Sequence, residues 1–149
     1  RLRQFRHALP EAVNARITEL QKRHPGLTKL GTDMAVPDDC LDEIMCTYRQ
    51  ELDSAGLEYV IFGHIGDNHV HVNILPRTPE DYAVGKELYI NLAREVVAMG
   101  GSPAAEHGIG KLKTAFLEIL LGEDGIAQMR EVKCAFDPDL RLSPGNLFA

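Results

Sequence analysis

Val13, Ile17 and Leu20 follow Pro10-Glu11 at three- and four-residue spacing, and His24-Pro25-Gly26 comes next. The pattern predicts an amphipathic helix that opens at Pro10 and is closed by that Pro-Gly pair. Leu27 to Val36 is a short run that ends in Pro37-Asp38-Asp39. It predicts a strand feeding the proline and acidic first turn of a second helix, whose buried face is Leu41, Ile44, Met45, Tyr48 and Leu52 and whose end is Ala55-Gly56. Leu57 to His64 and His69 to Leu75 are rich in β-branched and aromatic residues, and the turn composition Ile65-Gly66-Asp67-Asn68 separates them, so they predict a hairpin. Thr78-Pro79-Glu80-Asp81 supplies a capping hydroxyl, a first-turn proline and two carboxylates for a long helix ending at Gly100-Gly101. A further helical pair is predicted around Lys111 to Leu121 and Glu123 to Phe136, before Asp137-Pro138-Asp139 and an irregular tail.

That order of elements predicts an α+β fold, ferredoxin-like in outline, with an antiparallel sheet, helices packed on one face and additional C-terminal helices. With 149 residues and no internal repeat or linker, positions 1–149 suit one domain with one core. Hydrophobic residues make up 44% of the chain, yet no uninterrupted apolar run approaches the roughly 18 to 20 residues of a membrane helix, so a soluble, cytoplasmic protein is expected.

The formal charge of −6 argues against a nucleic-acid partner, which needs a basic face. Arg1, Arg3, Arg6 and His7 form a local basic cluster that suits a small anion. Cys40, Cys46 and Cys134 are an odd count without a C-x-x-C pair, so neither a disulfide framework nor a thiolate zinc site is suggested, and a reducing compartment fits. The chain opens without Met and without the order of a signal peptide, and an upstream domain is expected.

The chemistry concentrates in Gly63 to Asn73, which contains His64, His69 and His71, and in Glu106-His107-Gly108-Ile109-Gly110. Neutral imidazole is both a metal ligand and a base near neutral pH, and a carboxylate completes a mixed nitrogen and oxygen shell. Strand alternation puts His69, His71 and Asn73 on one side and Val70, Val72 and Ile74 on the other, one face polar and one core. Val60, Phe62 and His64 share a face of the preceding strand, so the hairpin can bring His64 and His71 to one ion. Taken singly, each histidine is better explained by a turn or strand edge, and Glu106 is as well explained by a pair with Lys111 or Lys113 in a capping loop. Several imidazoles on one face together with Glu106-His107 favour a site. Two histidines and a carboxylate suit Zn²⁺, Fe²⁺ or Mn²⁺ and leave coordination positions open.

Gly63-His64-x-Gly66-Asp67 through His71-x-Asn73, then Glu106-His107-Gly108-Ile109-Gly110, then Phe136-Asp137-Pro138 through Pro144-Gly145, resemble the C-terminal domain of the FAD-linked oxidases of the D-lactate, glycolate and D-2-hydroxyglutarate dehydrogenase group. The resemblance implies that D-2-hydroxy acids are oxidised to 2-oxo acids, with FAD held mainly by a flavin domain upstream. By the same resemblance His64, His71 and Glu106 fall on metal ligands and His107 on the base that takes the hydroxyl proton. Asn73, Arg6 and Lys29 fall on substrate contacts, Arg6 as the carboxylate-binding arginine. The flavin half would precede Arg1, so this stretch alone is expected to bind little FAD and to turn nothing over. The electron acceptor is left open, as is a homo-oligomeric state or a peripheral association with a membrane through that acceptor.

The sequence departs from the family pattern in three places. Gly66-Asp67-Asn68-His69 stands where the family reads Gly-Asp-Gly-Asn, and Asn tolerates the left-handed conformation that Gly supplies. His69 thereby becomes an extra imidazole on the site face, able to replace or supplement His71. The spacing from Lys29 to Asp33 and Pro37 differs from the family's, and Leu142-Ser143-Pro144-Gly145-Asn146 stands where the family tends to Asn-Pro-Gly-Lys. Two readings of another class compete: a metal-dependent hydrolase using Glu106 or His107 as base, and a noncatalytic ferredoxin-like binding module.

Overall fold

The computed structural model describes residues 2–148, with side chains from residue 8 onward. Its first helix, α1 (Leu2–Gln21), begins well before the expected start and carries Pro10 inside it. Residues 2–9 contain no glycine and no β-branched residue, so they are competent helix formers, and Pro10 removes one backbone bond without ending the helix.

The expected strand over Leu27 to Val36 is two short pieces, β1 (Leu30–Gly31) and β2 (Met34–Ala35). A 3-10 turn at Asp38–Cys40 leads into α2 (Leu41–Ser54), which buries Ile44, Tyr48 and Leu52 and is followed by Gly56 at φ 63°. The hairpin is β3 (Tyr59–His64) and β4 (His69–Ile74), joined by a 3-10 turn over Ile65–Asp67. Asn68 closes that turn at φ 47°, the left-handed conformation expected of it. The long helix is α3 (Pro79–Ala98), and the Thr78 hydroxyl accepts the Asp81 N–H at its start. The predicted C-terminal helical pair is present within the span α4 (Thr114–Phe136), whose two helices are separated at Gly122 by a non-helical φ of 67° and ψ of 177°. Asp137 then gathers the tail, accepting the N–H groups of Arg141 and Leu142 and the ammonium of Lys133.

The fold is α+β, with one antiparallel sheet in which β4 is central, β3 on one side and β1 and β2 on the other. Leu30↔Ile74, Gly31↔Asn73, Met34↔Val70 and Ala35↔His69 keep a single register. The outer strand is therefore one strand interrupted at Thr32-Asp33. There the Val72 N–H goes to the Thr32 hydroxyl instead of its carbonyl, so the Thr32 carbonyl is left to bond a side chain.

Val70, Val72 and Ile74 face the main core with Ile44, Tyr48 and Leu52 of α2, Leu88, Leu92 and Val96 of α3 and Phe116 of α4. A smaller cluster joins Val13 and Ile17 of α1 to Leu75, with Val60 beside them. Burying each such side chain stabilises the fold by roughly 1.5–3 kcal/mol. The polar side of β4 is not open to water: His69 is 6% and Asn73 3% exposed. The division into a polar face and a core face holds, and the polar face is itself mostly buried, among polar groups. Gly63 makes the tight pairing possible, because a Cβ there would lie 2.6 Å from the His69 carbonyl oxygen and 2.8 Å from the Val70 Cα.

Candidate metal centre

β3 and β4 deliver three imidazoles to one end of the sheet. His64 pairs with His69 across the hairpin, and Phe62 with His71, so His64, His69 and His71 lie on one face as the alternation predicts. The ring centroids of His69 and His71 are 4.4 Å apart, and those of His64 and His69 5.7 Å.

The carboxylate comes from the loop after α3, which is stitched to the sheet's outer edge. Ala35 exchanges two backbone bonds with Ser102, and the Ala105 N–H bonds the Asp33 carbonyl. Gly108 and Gly110, at φ 68° and 55°, turn the chain beyond. This docking brings Glu106 Oε2 to 3.6 Å from His64 Nε2, 3.7 Å from His71 Nε2 and 3.8 Å from His69 Nδ1. Donor atoms of His64, His71 and Glu106 all lie within 4.8 Å of one another. Glu106 does not pair with Lys113, whose ammonium is instead 3.0 Å from Asp33 Oδ2.

The separations of 3.6–3.8 Å are too long for hydrogen bonds. They are close to the spacing of about 3.4 Å between ligand atoms set tetrahedrally around an ion at about 2.1 Å. The imidazoles are also turned for it. His71 Nδ1 is 2.8 Å from the Thr32 carbonyl, which only accepts, so Nδ1 carries the proton and Nε2 keeps its lone pair toward Glu106. An electron-rich set of this kind suits a divalent cation, and the chemistry of its donors fits Zn²⁺, Fe²⁺ or Mn²⁺.

His107 lies in the same bend of the loop as Glu106 and offers a ring nitrogen within 4.8 Å of carboxylate oxygens of both Glu106 and Asp33. Its Nδ1 is 3.3 Å from Asp33 Oδ1, its ring centroid is 5.7 Å from that of His71, and its side chain is 64% exposed. Asn73 lies two residues beyond His71 on the same face, paired with Gly31 and Val60. Lys29 precedes β1 and so lies beyond the Ile74 end of β4, roughly 13 Å along the strand from His71 at about 3.3 Å per residue. Among the described residues it makes no ion pair with the cluster. Arg6 lies in the backbone of α1, and its side chain falls outside the described residues.

The sequence did not single out Asp33, the most buried charge of the region. Besides Lys113 and His107 it meets His69 Nε2 at 3.0 Å and the backbone N–H groups of Glu106 and His107 at 3.1 and 2.8 Å. Burial pushes its carboxyl up, but Lys113 and the two amides outweigh that and hold it below the ordinary carboxylate range. A carboxylate inside a strand-like run was the one available signal. Lys113 and Thr32 gave none.

The family model for the C-terminal domain of FAD linked oxidases matches residues 2–147. The chain belongs to that family. The C-terminal domain of these FAD linked oxidases occurs here with the departures at Asn68 and His69 already described. Among curated proteins the chain is similar to D-lactate dehydrogenase [cytochrome] 1, mitochondrial, of Saccharomyces cerevisiae, 32% identical over 117 residues, covering 78% of this chain and 20% of the relative. It is 28% identical over 144 residues to glycolate oxidase subunit GlcD of Bacillus subtilis, covering 95% and 30%. It is 33% identical over 117 residues to D-2-hydroxyglutarate dehydrogenase of Escherichia coli, covering 77% and 11%. The chain therefore spans less than a third of the length of these relatives. No described helix is long and apolar enough to cross a membrane.

Proposed function

We propose that this domain is the substrate- and metal-binding part of a flavin-dependent dehydrogenase that oxidises a D-2-hydroxy acid to a 2-oxo acid. The observation that carries the reading is the convergence of His64, His71 and Glu106, with His69 beside them, at distances that fit ligands better than hydrogen bonds. The names of the relatives supply the substrate class: D-lactate, glycolate and D-2-hydroxyglutarate.

In this reading His64 Nε2, His71 Nε2 and Glu106 hold the cation. When bound, the cation supplies Lewis acidity and FAD a hydride acceptor. His107, exposed beside the cluster, takes the proton of the substrate hydroxyl at its outward nitrogen, Nε2. Arg6 binds the substrate carboxylate through its forked guanidinium, and Asn73 contacts the substrate from the floor of β4. Lys29 is the weakest member of the set, since β1 places it at the far end of the sheet. The yeast relative is named as mitochondrial, so the compartment of this protein is a separate question from its chemistry.

The test uses the complete protein. Elemental analysis is expected to find one equivalent of Zn, Fe or Mn, lost in folded His64→Ala and His71→Ala variants. Turnover of D-lactate, glycolate or D-2-hydroxyglutarate with a dye acceptor is expected to vanish with the metal. A protein that binds no metal and reduces no dye with any of these acids, while carrying its flavin, would sink the proposal.

A further inference from the structure

Asp33 has more partners than stability requires. Its carboxylate is 2% exposed, and one lysine would compensate its charge. Four donors nevertheless make hydrogen bonds to it, Lys113 Nζ, the N–H groups of Glu106 and His107 and His69 Nε2, and a ring nitrogen of His107 approaches it without yet bonding. A carboxylate offers about four acceptor sites. The fifth and longest contact is the 3.3 Å approach of His107 Nδ1, the kind of separation that catalytic pairs often close when substrate binds. Two of these five contacts thus come from imidazoles at the proposed site, one on β4 and one on the loop.

We propose that Asp33 is the positioning residue of this site, fixing which nitrogen of His69 and of His107 carries the proton. The inference rests on the reading of His64, His71, Glu106 and His107 as the reactive groups. Lys113 holds one oxygen of Asp33, so the carboxylate stays ionised and acts only as an acceptor toward both rings. His69 must then present Nε2–H to Asp33, which leaves a lone pair on Nδ1, 3.8 Å from Glu106 Oε2. No proton intrudes into the donor cluster from that side. His107 must present Nδ1–H, which leaves Nε2 as the free base on its exposed side. The other tautomer would turn an N–H toward the substrate and have no lone pair with which to accept its proton. The backbone bonds to Glu106 and His107 set the loop from the same two oxygens, so one residue couples the base to the metal shell.

The experiment is ring-nitrogen NMR of ¹⁵N-histidine-labelled complete protein, zinc-loaded, with an Asp33→Asn variant beside it. Nε2–H on His69 and Nδ1–H on His107 are expected in the unaltered protein. In Asp33→Asn both assignments are expected to mix or reverse, with kcat down roughly 10- to 100-fold, as for loss of an outer-shell partner, and KM nearly unchanged. A purely structural aspartate would lower the yield of active protein and leave the ring tautomers of the folded fraction alone. Finding Nδ1–H on His69 or Nε2–H on His107 in the unaltered protein overturns the inference whether or not the variant folds. Metal content of His64→Ala separates the two layers. Metal loss together with the wrong tautomers overturns the inference and leaves the site standing, whereas metal retained in that variant overturns the site reading and the inference with it.

Discussion

The two faces of β4 are both largely buried, with His71 the partly exposed exception, and are built from opposite materials. On one, Val70, Val72 and Ile74 are 4%, 0% and 0% exposed against hydrocarbon from α2 and α3. On the other, His69 and Asn73 are 6% and 3% exposed among carboxylates, amides and a lysine. A buried strand position is therefore not by itself a core position. What distinguishes the two faces is whether each buried atom already has its partner: the hydrocarbon face is complete once packed, while the imidazole face holds lone pairs turned toward one another.

That contrast breaks most visibly if a hydrocarbon residue turns out to govern the site. Ile74→Ala is expected to cost about 2–5 kcal/mol in denaturant unfolding, the range for deleting a large aliphatic side chain from a packed core, while metal bound per folded molecule stays unchanged. His71→Ala should do the reverse. Metal affinity measured by competition with a chelator should fall by at least the roughly 10- to 100-fold that loss of a mere outer-shell partner costs, with little change in the unfolding of the metal-free protein. Gly63→Ala links the two faces, because its Cβ would strike the backbone between His69 and Val70. A cost of about 1–3 kcal/mol, with metal affinity weakened in parallel, is expected from overpacking there.

A smaller effect comes from outside both faces. The Lys133 ammonium and the Leu142 and Arg141 amides hold the Asp137 carboxyl below its usual range. A depressed folded value means that the stabilisation is present above the ordinary carboxylate value near 3.9 and is lost as pH falls from there through the lower folded value. Protection of the Arg141 and Leu142 amides against hydrogen exchange, taken relative to the intrinsic rate at each pH, should fall in that acid window, and the Asp137→Asn variant should lose the acid dependence. Unchanged protection across the window would remove Asp137 as the anchor of the tail.

Much of this architecture was legible because it follows from periodicity. The α2 face, the Thr78 cap and the hairpin that brings His64 near His71 come from spacings that geometry converts directly into positions, whereas Glu106 was joined to them only through the family resemblance. The N-terminal part of α1 was hidden by Pro10, which has the chemistry of a helix start but sits inside the helix. The partners of the site were hidden for another reason. Thr32 and Asp33 sit in a run that reads as continuous strand, and only the tertiary fold shows that the ladder is interrupted there, freeing a carbonyl for His71 and burying a carboxylate beside His69 and His107. Lys113 lies 80 residues from Asp33 along the chain, and no local pattern announces such a pair.

The loop that carries Glu106 and His107 also seals the border of the sheet. Along that border the Gly31 carbonyl is taken by the Tyr89 hydroxyl, the Asp33 carbonyl by Ala105 and both groups of Ala35 by Ser102. Exposed strand borders recruit further strands from neighbouring molecules. Nicking or displacing the stretch from Ser102 to Ala105 would therefore free a template for intermolecular pairing in the same event that withdraws the site's carboxylate. Damaged molecules would become sticky as they became inert, and light scattering would register the lesion as promptly as an assay.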